Sequence, residues 1–167
     1  MDEVVIDRVA PTDPRAQRAL WAYYDTIVSR FHHRRATAAE IGSAMLEEPS
    51  DDLVPPRGLL LLARRGEVVL GCAGLRLHVD VAEVTRVHVT SAARGQGLGS
   101  RLLLAVEDEA RAHGLYVLRL DTRSDLVEAR RLYTRHAYLE VEPFNADPYA
   151  QHWFTKQLTD PASATPT

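Results

Sequence analysis

Apolar positions along this chain recur with two periods, and each change of period marks a boundary between elements. Residues 4–9 alternate as a strand; Pro11 and Pro14 break it and leave Asp13 to cap a helix. Leu20, Tyr23, Tyr24, Ile27 and Val28 then recur at helical spacing as far as about residue 29. Phe31, His32, His33, Arg34 and Arg35 read as a polar connection, and Thr37 caps a second helix over 38–47 carrying Ile41, Met45 and Leu46. Residues 49–58 are turn chemistry, with Pro55 and Pro56 excluding a helix. Residues 59–63 and 68–77 pair as an antiparallel hairpin around Gly66, and the alternating run 81–89 (VAEVTRVHV) continues the sheet.

Beyond it, residues 100–113 (SRLLLAVEDEARAH) predict an amphipathic helix that Gly114 ends. A short buried strand over 117–122, a helix over 127–135, a strand over 138–141, a loop over 143–148 and a last strand over 152–158 complete the order. The proline- and threonine-rich tail 159–167 is expected to be disordered, which leaves residues 1–158 as a single domain without internal repeats. This order implies an α/β fold with a mixed sheet, antiparallel in its N-terminal part and parallel across the helix that begins after residue 99.

The join between the run 81–89 and that helix reads Arg94, Gly95, Gln96, Gly97, Leu98, Gly99, Ser100. Glycines at alternate positions free the backbone to curl, so successive N–H groups converge on one point. That point lies at a helix N-terminus, where unpaired N–H groups and the helix dipole favour anions, and Arg94 adds a full positive charge. A phosphate or diphosphate is the expected guest. The dinucleotide fingerprint G-x-G-x-x-G fails, because its third position falls on Ser100; the triphosphate loop fails because the chain has no Gly-Lys pair.

Bulk properties narrow the classes further. The 167 residues are 46% hydrophobic and 26% charged, which are globular values, and the net charge of −3 offers no basic field for nucleic acid or anionic membrane. No stretch approaches the roughly 18 apolar residues of a membrane span. A lone cysteine, Cys72, in an apolar strand and an acidic N-terminus without a secretory pattern make a cytoplasmic protein the expectation. The histidines lack ligand spacing with carboxylates or cysteine, so no metal is expected.

The spacing R-x-x-G-x-G at Arg94, Gly97 and Gly99 resembles the coenzyme A signature of the GNAT superfamily of N-acetyltransferases, [QR]-x-x-G-x-[GA]. Ala82-Glu83-Val84 is similar to the strand opening A-E-[IV] of that family, and residues 129–138 match its A-x-x-L-Y-x-x-x-G-[FY], with Ala137 in the glycine place. Leu126 stands where many members carry a cofactor-contacting asparagine. The resemblance covers residues 82–138 and implies a sheet of six to seven strands with about four helices, two strands splaying to admit the pantetheine arm. It also implies acetyl-CoA as cosubstrate and a small-molecule or peptide amine as acceptor; dimers are common in the family.

Acetyl transfer to an amine has three chemical needs: a proton acceptor for the ammonium, a donor to the thioester oxygen, and a proton for the departing thiolate. By resemblance Glu83 is the candidate base, the main chain of Val87 and Val89 the donor set, and Tyr133 the candidate acid. The same carry-over assigns cofactor binding to Val87, His88, Val89, Arg94, Gly95, Gln96, Gly97, Leu98, Gly99 and Ser100, the last also able to cap its helix. Strict alternation puts His88 on the face opposite Glu83 unless a bulge intervenes. The basic residues after Phe31 are candidates for an anionic group on the acceptor. A non-catalytic acyl-CoA sensor and an enzyme with a different acyl donor are the competing readings.

Overall fold

A computed structural model describes residues 3–160. Its elements are Val4–Arg8 (β1), Pro14–His32 (α1), Ala38–Glu47 (α2), Gly58–Arg65 (β2), Val68–Leu77 (β3), Ala82–Val89 (β4), Leu98–Ala112 (α3), Val117–Thr122 (β5), Val127–Arg135 (α4), Leu139–Val141 (β6) and His152–Gln157 (β7). The strands form one sheet in the order β1-β2-β3-β4-β5-β7-β6, antiparallel throughout except for the parallel pair β4–β5. The expected tail lies, from residue 161 onward, outside the described residues. Among the described residues no helix is long and apolar enough to cross a membrane.

The central strands are apolar on both sides because helices cover both faces. Leu60, Leu62 and Cys72 pack with Leu20, Tyr24 and Ile41 of α1 and α2. Leu59, Leu61 and Leu75 pack on the other face with Leu98, Leu102 and Val106 of α3. Burial in the first layer pushes the Cys72 thiol up to about 12, so it packs as a small apolar group. Within the second layer Glu107 is only 1% exposed. It accepts from the Tyr138 hydroxyl at 2.9 Å and from Lys156 Nζ at 3.0 Å, so its charge is paired rather than stranded.

The caps agree closely with the sequence pattern. Asp13 Oδ1 accepts from the Arg15 N–H at 2.8 Å with Pro14 in the first turn, and Thr37 closes a reciprocal capping box with Glu40. Several strand ends shift by one or two residues, and two helix boundaries differ from expectation. Helix α1 continues through Phe31 and His32, which the polar pattern assigns to the connection, because Ile27 and Val28 extend its apolar face by another turn and His33 ends it at φ 54°. Helix α3 starts at Leu98 with Gly97 as its cap residue at φ 77°. Ser100 therefore does not cap: it lies inside the first turn, and its hydroxyl bonds His136 Nε2 at 2.8 Å.

Two features of β4 position the site. The pairing of β3 with β4 slips between Cys72 and Gly74, so that Arg86 and Val87 oppose the single residue Ala73. Arg86 occupies this bulge at φ 56°. Its guanidinium donates to the Tyr24 hydroxyl (3.1 Å), Ser50 Oγ (3.2 Å), Thr85 Oγ1 (2.8 Å) and the Glu48 carbonyl (3.0 Å), holding a backbone conformation that costs about 1 kcal/mol. The second feature is the splay. Strand β4 pairs with β5 only at Ala82–Leu118 and Glu83–Arg119, while β5 stays paired with β7 through Thr122. Beyond Glu83 the sheet is open.

Candidate active site

The glycine-rich loop ends one strand and starts one helix, and its backbone is shaped for an acceptor that the chain does not supply. Gly95 and Gly97 sit at φ 79° and 77°. Gly99 has ordinary helical geometry, and its need is space, since an added Cβ would lie 3.3 Å from Leu132 Cδ2. Among the described residues none of the N–H groups of residues 95–100 has a protein acceptor; the helix ladder begins with the Arg101 N–H on the Gly97 carbonyl at 3.1 Å. The main-chain donors of Gly95 and residues 97–100, at and just before the positive end of α3, could hold a diphosphate. They adjoin a cavity of about 510 Å³ that the β4 main chain also borders. Val87, His88, Val89, Arg94, Gly95, Gly97, Leu98, Gly99 and Ser100 all line it, while Gln96 does not.

The orientation of the β4 main chain can be read from one bond. The Thr90 N–H is used by the Leu70 carbonyl at 2.9 Å. Alternation then turns the N–H and C=O of Val89 away from β3 and into the splay. The Val89 carbonyl there accepts from Arg94 Nε at 3.2 Å. The bulge also overturns the expectation for His88. The extra residue restores His88 to the Glu83 face, where it pairs with Cys72 and meets the Tyr23 ring of α1 at 6.4 Å. Burial lowers its pKa to about 4, with Arg94 adding to the effect, so the imidazole is neutral.

Across the splay a second cavity of about 770 Å³ opens between α1, α2, β4, β5 and the loop before β7. Tyr23, Ile27, Val87, Leu126 and Ala129 border both cavities, so the two meet at the gap between the strands. Tyr133 lies in the wall of the larger one. Its ring packs edge-on against Tyr138 (5.8 Å) and near Phe154 (6.1 Å), and the residue is 6% exposed. Burial pushes its phenol pKa up, so it carries its proton at neutral pH, and no protein group bonds the hydroxyl among the described residues.

Glu83 borders the same cavity and is held from three sides: Arg76 Nη1 and Arg119 Nε each lie 3.3 Å from its oxygens, and His78 Nε2 is 3.7 Å away. Two of the basic residues after Phe31 are already engaged and do not remain available for an anion. Both Arg34 amino groups donate to Glu40 at 2.8 Å, and His32 Nε2 lies 3.0 Å from the same carboxylate. Sequence reasoning missed four other residues of this wall. Tyr23 reads as one more core position at helical spacing, and burial raises its phenol to about 12. Glu47 reads as a helix end with Glu48 just past it, and Asp121 as one position of a short buried strand. Only the cavity, formed by distant segments, reveals what they share. Among the described residues no cluster of histidine, cysteine and carboxylates has the make-up of a metal site.

Comparison with known proteins bears on the family and the fold. The model of the Acetyltransferase (GNAT) family matches residues 16–138. An IAA acetyltransferase of Azospirillum brasilense is 37% identical over 94 residues, covering 55% of this chain and 61% of that protein. The chain spans 61% and 64% of the curated relatives it matches. Among solved structures, PaiA N-acetyltransferase from Thermoplasma acidophilum in complex with coenzyme A superimposes with a TM-score of 0.74 at 16% identity, over 93% of this chain and 99% of that one. A GNAT-family acetyltransferase from Staphylococcus aureus does so with 0.74 at 16%, over 94% and 100%. At such identities the likeness is one of fold.

Proposed function

The chain belongs to the GNAT acetyltransferase family, and from that premise we propose that it transfers an acetyl group from acetyl-CoA to a primary amine by direct attack in a ternary complex. The observation that carries this reading is the set of main-chain N–H groups at Gly95 and residues 97–100, without protein acceptors among the described residues, joined through the β4–β5 splay to a cavity lined by Tyr133, whose hydroxyl has no partner among the described residues. In this reading residues 95–100 and Arg94 hold the diphosphate, and the splay takes the pantetheine arm. The cosubstrate supplies an activated acyl group on sulfur. The Val89 N–H, fixed in a strand, donates to the thioester oxygen as charge builds there; losing a preorganised donor of this kind costs about 3 kcal/mol of barrier.

Glu83 takes a proton from the acceptor ammonium, directly or through water, and exchanges part of its contact with Arg76 or Arg119 to do so. The freed nitrogen lone pair forms the new C–N bond while the C–S bond breaks. Tyr133 gives its proton to the departing sulfur and regains one from the acylated nitrogen, so a neutral thiol, an amide and one proton leave. Burial keeps the phenol protonated at neutral pH, so it has a proton to give when the thiolate departs.

Two variants test this with thiol release as the assay. Arg94→Glu places a like charge beside the diphosphate, and coenzyme A affinity measured by calorimetry is expected to fall at least 100-fold, about 2.7 kcal/mol. Tyr133→Phe is expected to cut kcat about 10²-fold or more with coenzyme A affinity changed less than threefold. Unchanged turnover in the phenylalanine variant removes Tyr133 from the chemistry. Tight cofactor binding with no acetylated product across a broad amine panel replaces the enzyme by a sensor.

A further inference from the structure

The wall of the larger cavity opposite the splay carries carboxylates that form no salt bridge among the described residues, although Arg86 and Arg76 act on two of them at longer range. Glu47 Oε1 accepts only from the Tyr149 hydroxyl at 3.4 Å. Asp147 accepts from the Tyr149 N–H at 2.9 Å, and Asp121 accepts from Asn145 Nδ2 at 2.8 Å. The Glu48 side chain has no hydrogen-bond partner among the described residues, although its carbonyl serves Arg86. All four border the same cavity. Burial raises the pKa of both Glu48 and Asp121; Arg86 opposes this at Glu48 and the Asn145 bond and Arg76 oppose it at Asp121, while Asp147, Glu47 and Asp121 add to it at Glu48 and Asp147 adds to it at Asp121.

Two further observations point outward, to something that enters. Glu47 and Glu48 close α2, whose last turn has no basic residue. Two negative charges at the negative pole of a helix are a local cost that a cation relieves. Tyr133, more than nine-tenths buried, directs a hydroxyl with no partner among the described residues into this cavity, and Asp121 is among the charges it feels. The cavity's own cations are meanwhile occupied. Arg76 Nε donates to Asp52 at 2.7 Å and its Nη1 to Glu83; Arg123 is held by Asp125 at 2.8 Å; Arg86 is buried under α2. A substrate carboxylate entering here would meet acids, with these guanidinium groups already engaged.

We propose that Glu47, Glu48, Asp121 and Asp147 form a subsite for a second ammonium group, so that the acceptor is a di- or polyamine rather than an amino acid or a simple alkylamine. The inference rests on the acetyl-transfer reading above and specifies its substrate. One end of the acceptor is seated among these carboxylates while the other reaches the gap near Tyr133, which lines the same cavity.

The test compares three four-carbon amines that differ only at the far end: 1,4-diaminobutane, 1-aminobutane and 4-aminobutanoate. With coenzyme A release from acetyl-CoA as the readout, kcat/KM is expected to be at least tenfold higher for the diamine than for the monoamine, and lowest for the aminobutanoate. Glu47→Gln combined with Asp147→Asn is expected to shrink the diamine-to-monoamine ratio at least fivefold through KM, and rising salt is expected to shrink it in the parent protein. Equal kcat/KM for diamine and monoamine, a preference for the aminobutanoate, or a ratio unmoved in the double variant overturns the inference and leaves acetyl transfer standing. Turnover confined to amines of another kind does the same. Failure to acetylate any amine takes both readings down.

Discussion

Burial keeps His88 neutral in the folded protein, with its pKa lowered to about 4 from the ordinary 6.5. In the unfolded chain it binds a proton near 6.5, so between those values the unfolded state holds more protons and stability rises with pH. The contribution is fully present above about pH 6.5 and is lost as pH falls toward 4, about 3 kcal/mol in all. Urea unfolding at pH 7, 5.5 and 4.5 is expected to show a steeper acid loss for the parent than for His88→Gln; parallel slopes would contradict the burial argument. At this scale the sequence is legible in type more than in direction. Alternation along β4 is evident, but the face of His88 turns on a bulge at Arg86, and nothing local marks an arginine for a left-handed conformation. Glu107 shows the same blindness: it falls on the α3 core stripe, yet its partners Tyr138 and Lys156 come from elsewhere in the chain.

At the scale of elements, the ends of helices carry most of the local information. The capping residues Asp13 and Thr37 are readable because an N-cap is a local hydrogen bond. Helix α4 ends at a position that wants glycine and has Ala137 at φ 67°. Its N–H donates to the Thr134 carbonyl at 3.1 Å and the Tyr138 N–H to the Tyr133 carbonyl at 3.0 Å, so the turn is formed despite its Cβ. Ala137→Gly is therefore expected to raise stability by about 0.5–1 kcal/mol, read as a higher urea midpoint at unchanged m. A lower midpoint would mean that Ala137 packing outweighs the backbone strain. The start of α3 falls two residues earlier than the pattern suggests because Gly97, rather than the hydroxyl of Ser100, begins the helix. Leaving the cap position without a side chain keeps the first-turn N–H groups free for an outside anion.

For the whole molecule, the mixed sheet and the glycine-rich loop are implied by the order of elements and by one hexapeptide, both of which are continuous in sequence. The acidic subsite is not, because Glu47, Glu48, Asp121 and Asp147 converge only when the splay, α2 and the loop before β7 are assembled. The proposed acetyl transfer depends on one long-range feature: two cavities, about 510 and 770 Å³, share lining residues where β4 leaves β5. Amide chemical shifts recorded during titration with acetyl-CoA test that connection most directly. The largest changes are expected at residues 95–100 and at Val87 and Val89, with none of comparable size on the outer strands β1 and β6. Saturable binding that leaves the amides of residues 95–100 and Val89 unmoved would contradict it.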